Sequence, residues 1–184
     1  NRTISLRCGR AQEAVVNVFE LLLAALTLPL PPAEQLRHVR GTEPWIAALI
    51  DDGAARSPTL ASLLASLDDS DVIVYVDSQV VRERLAGYLV HQVIVRGRFR
   101  YVWIVVSRSG NAHLIGVIAH ELQHALEVAQ APDVGRTERV DKLFERIGFR
   151  WGCVRSCYET IDAMNVERLV REELRASPST RSTR

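Results

Sequence analysis

With 184 residues, 47% of them hydrophobic and 24% charged, the chain has the composition of one compact globular domain, which argues against two full domains. Lys and Arg number 23 against 22 Asp and Glu, a formal charge of +1, so there is no strong field to recruit nucleic acid or anionic lipid. Three cysteines, Cys8, Cys153 and Cys157, are too few for a disulfide-built scaffold, and no run of 18 apolar residues reads as a membrane span.

Along the chain, Arg2, Arg7 and Arg10 precede the apolar stretch Ala14 to Leu30, the order in which a secretory leader is built. Against that, Gln12, Glu13, Asn17, Glu20 and Thr27 fall on one stripe, as in an amphipathic helix. Leu28-Pro29-Leu30-Pro31-Pro32 stops either, so residues 1–34 read as leader or helix plus linker and residues 35–176 as the folded domain. Pro44 to Ile50 reads as a short helix ended by Asp51-Asp52-Gly53. Ser57-Pro58 caps and opens a second helix to about Leu67.

The pattern then becomes β-branched. Val72 to Val76 has the length of a buried strand, and Tyr88 to Val95 and Phe99 to Val106 are joined by Arg96-Gly97-Arg98 as an antiparallel hairpin. Leu114 to Ala129 is the clearest helix, apolar at Leu114, Ile118, Leu122 and Ala125, with Asn111 available as its cap. Thr137 to Ile147, closed by Gly148, and about Cys157 to Arg175 are two further helices. The tail 177–184 has the composition of a disordered segment.

The clearest helix carries His120-Glu121-Leu122-Gln123-His124, an H-E-x-x-H sequence. Spacing of four places both imidazoles on one helix face, one turn apart, as two ligands of a tetrahedral Zn²⁺ require. Glu121 is rotated away from the ligand stripe and within reach of a water at the ion, the position of a general base. With five histidines and 13 glutamates, a shuffled chain would contain this sequence about 0.01 times. The structural alternative is a helix bearing two unrelated histidines.

A catalytic zinc needs a third protein ligand, and the glycine and third histidine of the extended metzincin sequence are replaced by Glu127 and Gln130. Glu127, Asp133, Glu138, Glu145, Glu159 and Asp162 are the candidates. Glu127 shares the ligand helix and would approach from the same side, and Glu138 and Glu145 sit on a face that reads as solvated. Glu159 stands at the start of the last helix and can approach from a second element; Asp162, one turn on, can accept a hydrogen bond from a ligating imidazole. Against this, Ser156-Cys157-Tyr158-Glu159 fits an S-x-x-E capping box, which gives Glu159 a structural task.

Taken together, His120-Glu121-Leu122-Gln123-His124-Ala125 and Tyr158-Glu159-Thr160-Ile161-Asp162-Ala163 resemble the gluzincin branch of the zincin metallopeptidases, and within it a group of short bacterial proteins. The resemblance spans roughly Val39 to Leu174, with only the two motifs specific. It implies an α+β, minimal zincin-like fold in which a small antiparallel or mixed sheet packs on the H-E-x-x-H helix with a C-terminal helix following. It further implies His120, His124 and Glu159 as zinc ligands, Glu121 as base, and a peptide or protein as substrate. Asp162 follows Glu159 by three residues where the thermolysin-like pattern has four, which leaves its role open. The resemblance also favours export, periplasmic or secreted, over a cytoplasmic location, and a monomer is expected.

In such chemistry a strand ahead of the ligand helix, here Arg100 to Val106, forms a sheet edge over the cleft to which an extended peptide can add; a plain core strand is the alternative. Tyr158, His113 and Arg155 are the candidates for stabilising an oxyanion. Cys153 and Cys157 admit a short-loop disulfide, thiolate ligation, or two buried thiols. The competing functional readings are a zincin-like domain that binds metal or a partner without turnover, and a metal-free interaction domain.

Overall fold

The computed structural model describes residues 37–79, 86–107, 113–150 and 158–177. The leader and Pro-rich linker, the Asn111 cap, Arg155, the Cys153 and Cys157 pair and the tail from 178 lie outside the described residues. The order is β1 (Val39–Gly41), α1 (Pro44–Arg56), α2 (Pro58–Asp68), β2 (Val72–Gln79), β3 (Gly87–Leu89), β4 (Ile94–Arg96), β5 (Phe99–Ser107), α3 (Leu114–Gln130), α4 (Val140–Ile147), β6 (Phe149–Arg150), β7 (Tyr158–Glu159) and α5 (Ile161–Ala176). The domain is α+β, with a small mixed sheet. None of the described helices is long and apolar enough to cross a membrane.

The sheet centres on β5. On one side β2 and then β1 run parallel to it; on the other, β3 and β4 pair with its two halves antiparallel. The expected hairpin is present, turned by Gly97, whose φ of 59° lies in the left-handed region that glycine enters without steric cost. Its first strand is broken, however: residues 90–93 stand opposite only Val102 and Trp103, so two extra residues bulge out between β3 and β4. The expectation of a single strand from Tyr88 to Val95 is thereby corrected. So is that of an edge at Arg100 to Val106, because β5 is hydrogen-bonded on both sides and, among the described residues, the sheet ends beyond it with β3 and β4.

Alternation along the strands turns Val72, Val74 and Val76 of β2 and Val102, Ile104 and Val106 of β5 into one core with Ile46, Leu60, Leu67, Ile118 and Leu122 of the helices. α3 is buried along most of its surface, because it packs on the sheet on one side and against α5, α2 and α1 on others. It is thus a central helix, and the ligand motif is held by packing from several directions.

Several boundaries differ from the sequence reading. α1 runs through Asp51-Asp52-Gly53 to Arg56, since Gly53 is buried against Ile115 and Leu60, where a Cβ would come within 2.7 Å of Ile115, and Arg56 pairs with Asp52 at 2.8 Å. Ser57 caps α2 as expected, accepting from the Leu60 N–H at 3.1 Å. α4 begins at Val140, because Glu138 is drawn into a bridge with Val134 ahead of it. α5 begins at Ile161 with Thr160 as its N-cap, accepting from the Ala163 N–H at 3.2 Å. Tyr158 and Glu159 precede it in β7, so a capping box with Glu159 inside the helix is ruled out.

Candidate metal centre

Helix periodicity brings His120 and His124 to one face of α3, their ring centroids 5.0 Å apart and nearly perpendicular. β7 carries Glu159 in from the next element. Its Oε1 lies 3.0 Å from Nε2 of His120 and 3.2 Å from Nε2 of His124, and the three residues form the one group of metal-ligand type among the described residues, with donor atoms all within 4.8 Å of one another. A tetrahedral ion with bonds of ~2.0–2.1 Å sets its donors ~3.3 Å apart. The two separations to Glu159 are close to that value, so the group could hold a metal ion.

Each imidazole is held from behind by a second carboxylate. Nδ1 of His120 is 3.0 Å from Oε2 of Glu167, whose other oxygen pairs with Arg171; Nδ1 of His124 is 2.8 Å from Oε2 of the buried Glu127, whose Oε1 accepts from the Thr160 hydroxyl at 2.6 Å. The Phe144 ring meets His124 edge-on at 5.0 Å. The orienting task expected of Asp162 thus falls to Glu167 and Glu127; Asp162 is exposed in the first turn of α5 and lines a cavity of about 370 Å³ with Arg146 and Gln130. Both orienters had a signal in the sequence. Glu167 interrupts the apolar stripe Ala163, Val170, Leu174 that packs α5 on α3, and Glu127 lies on the ligand face of α3 one turn beyond His124.

The other candidates lie elsewhere. Glu138 pairs with Arg146, and Glu145 with Lys142 and the Tyr158 hydroxyl, which donates to it at 3.1 Å and is thereby committed away from the ligands. Asp133 is exposed in the turn after α3, where its backbone carbonyl accepts from the N–H groups of Arg136, Thr137 and Glu138 at 3.0, 2.9 and 3.0 Å. His113 is exposed at the N-cap of α3, about two turns before His120.

Glu121 is 6% exposed and lies under β3. Gly87 lets β3 lie close over α3: a Cβ there would stand 2.8 Å from a Val117 methyl, with the Glu121 Cγ at 3.4 Å. Burial pushes the Glu121 pKa up, opposed by the neighbouring imidazoles and by a hydrogen bond from the Leu89 N–H. Since Ala86 and Val90 hydrogen-bond to β5, Leu89 turns its peptide groups the other way, toward Glu121 and the edge that is unpaired among the described residues.

Without a metal, each ring faces a carboxylate at both nitrogens and is an imidazolium. Burial alone would lower the pKa of His120, but the bonds to Glu159 and Glu167 hold it at about 10; burial is likewise outweighed at His124 by Glu127 and Glu159, which hold it at about 9. Glu159, which burial would raise, is held at about 2 by the two imidazoles. Their ordinary values are 6.5 for histidine and 4.5 for glutamate. The histidine contribution to folding is therefore complete below pH 6.5 and lost as pH rises through 9 and 10, while that of Glu159 is complete above 4.5 and lost toward 2. An ion taking both Nε2 atoms must displace their protons. Zn²⁺ uptake at pH 7 is expected to release about two protons per ion, measured by calorimetry in buffers of different ionisation enthalpy; release near zero would contradict the imidazolium assignment.

Compared with known proteins, the chain matches no family model, and neither a curated protein nor a solved structure is significantly similar to it.

Proposed function

We propose that the chain is a zinc-dependent peptidase of zincin type, hydrolysing peptide bonds with Glu121 as general base. The observation that carries this reading is the convergence of His120, His124 and Glu159 beside a buried glutamate that is not one of the three. Two imidazoles and one carboxylate are the donor set of catalytic rather than structural zinc, which leaves a position for water and substrate. A zinc ion held there would acidify a water and polarise the scissile carbonyl. Glu121 takes the proton of the attacking water and hands it to the departing amine, and burial raises its pKa. Glu167 and Glu127 keep the ring nitrogens in the tautomer that presents Nε2 to the ion.

The substrate is an extended peptide laid along the edge of β3 that is unpaired among the described residues, pairing with the Leu89 carbonyl, since the Leu89 N–H is taken by Glu121. Backbone pairing of that kind selects weakly for sequence.

Metal analysis of the purified protein tests the reading. About one zinc per chain is expected, lost in His120→Ala and bound more weakly in Glu159→Gln. Full retention of metal by both variants would overturn the assignment, and a wild-type protein that takes up no zinc would leave only the metal-free interaction domain.

A further inference from the structure

Thr160 connects the two halves of this site. Its backbone N–H donates to Oε1 of Glu159 at 3.0 Å, the same oxygen that faces both imidazoles. Its hydroxyl donates to Glu127 at 2.6 Å, and Glu127 in turn holds Nδ1 of His124 at 2.8 Å. The same hydroxyl oxygen accepts from the Ala163 N–H and so begins α5. Thr160 is 4% exposed and Glu127 6%, so water does not compete for these bonds. A hydroxyl has one proton to give, and here it goes to the buried carboxylate; the ring of His124 and the carboxylate of Glu159 are thereby referred to one residue, although they arise from elements far apart in sequence.

We infer that Thr160 is the positioning residue of the metal centre, holding Glu159 through its backbone N–H and His124 through its hydroxyl and Glu127, so that two of the three ligands move as a unit. The inference rests on the metal-centre reading given above. It assigns Thr160 a task beyond capping, and the two tasks separate experimentally, because glycine is almost as good a cap as threonine yet has no hydroxyl to donate. Serine keeps both.

The test compares wild type, Thr160→Ser and Thr160→Gly, each first checked for a cooperative thermal transition without metal. Zn²⁺ affinity is read by competition with a chelating dye, and ligand geometry by the visible bands of the Co²⁺-substituted protein. Thr160→Ser is expected to match wild type in both. Thr160→Gly is expected to lose about 10- to 100-fold in affinity, the usual cost of removing support behind a ligating histidine, and to show displaced Co²⁺ bands. Wild-type affinity and unshifted bands in Thr160→Gly would reduce Thr160 to a helix cap. Failure of the wild-type protein itself to bind Co²⁺ or Zn²⁺ would instead remove the metal centre on which the inference stands, an outcome distinct from the first.

Discussion

Replacing Glu121 with glutamine is expected to leave zinc bound at one per chain and to lower hydrolysis of an unfolded protein substrate by about 10²–10⁴-fold, the range that a positioned general base supplies. The side chain is not among the three converging donors, so its loss as an acid or base does not touch the ligand set. Glutamine conserves the volume under Gly87 and Leu89, and an amide oxygen still accepts from the Leu89 N–H. What it removes is the ability to take and return a proton. Metal content and turnover should therefore separate: the variant is loaded and inert while wild type is loaded and active. Equal inertness of both across peptide and protein substrates would favour a domain that binds metal without turnover.

Arg100→Met is expected to destabilise the fold by about 3–5 kcal/mol, because it removes one buried donor from several carbonyls at once, each loss costing about 1–3 kcal/mol at most, and to lower Tm by roughly 6–20 °C. Arg100 is fully buried. Its guanidinium makes bonds of 2.6 and 2.9 Å to the two oxygens of Asp71 and further bonds to the carbonyls of Val128, Ala129, Ala131 and Val134. Those carbonyls belong to the end of α3 and the turn after it, where a cation also meets the negative end of the helix dipole. Methionine replaces the alkyl stem but takes the guanidinium donor from all four carbonyls, of which Val128 and Ala131 keep a backbone N–H, from Ala131 and Val134, at 3.1 Å each. Thermal unfolding followed by circular dichroism measures the effect; a shift of no more than about 2 °C would show that water takes over these bonds.

What was legible in the sequence is what local periodicity encodes. The His120 and His124 pair, the helix that carries it, the β2 and β5 runs, the Ser57 cap and the hairpin turn at Gly97 all follow from residues within a few positions of one another, so pattern and structure agree. Strands of two or three residues, β1, β6 and β7, carry too little pattern to be read, and β7 took the place of what reads as the first turn of the last helix. The bulge at 90–93 is equally silent, because both flanking runs look alike until their register against β5 is known.

By itself, then, the sequence determined that one helix presents two imidazoles on one face with a glutamate beside them, because a period of 3.6 residues is a local property. Only the tertiary structure decided the rest. It brought Glu159, of six carboxylates, to the two imidazoles, took Tyr158 to Glu145, left Asp162 at the surface and placed Glu127, Thr160 and Glu167 behind the cluster. It also made an arginine at the head of a strand into the anchor of the ligand helix. The physical reason is shared by all of these: a buried polar group must find its partner wherever packing brings one, and sequence distance says nothing about where that will be.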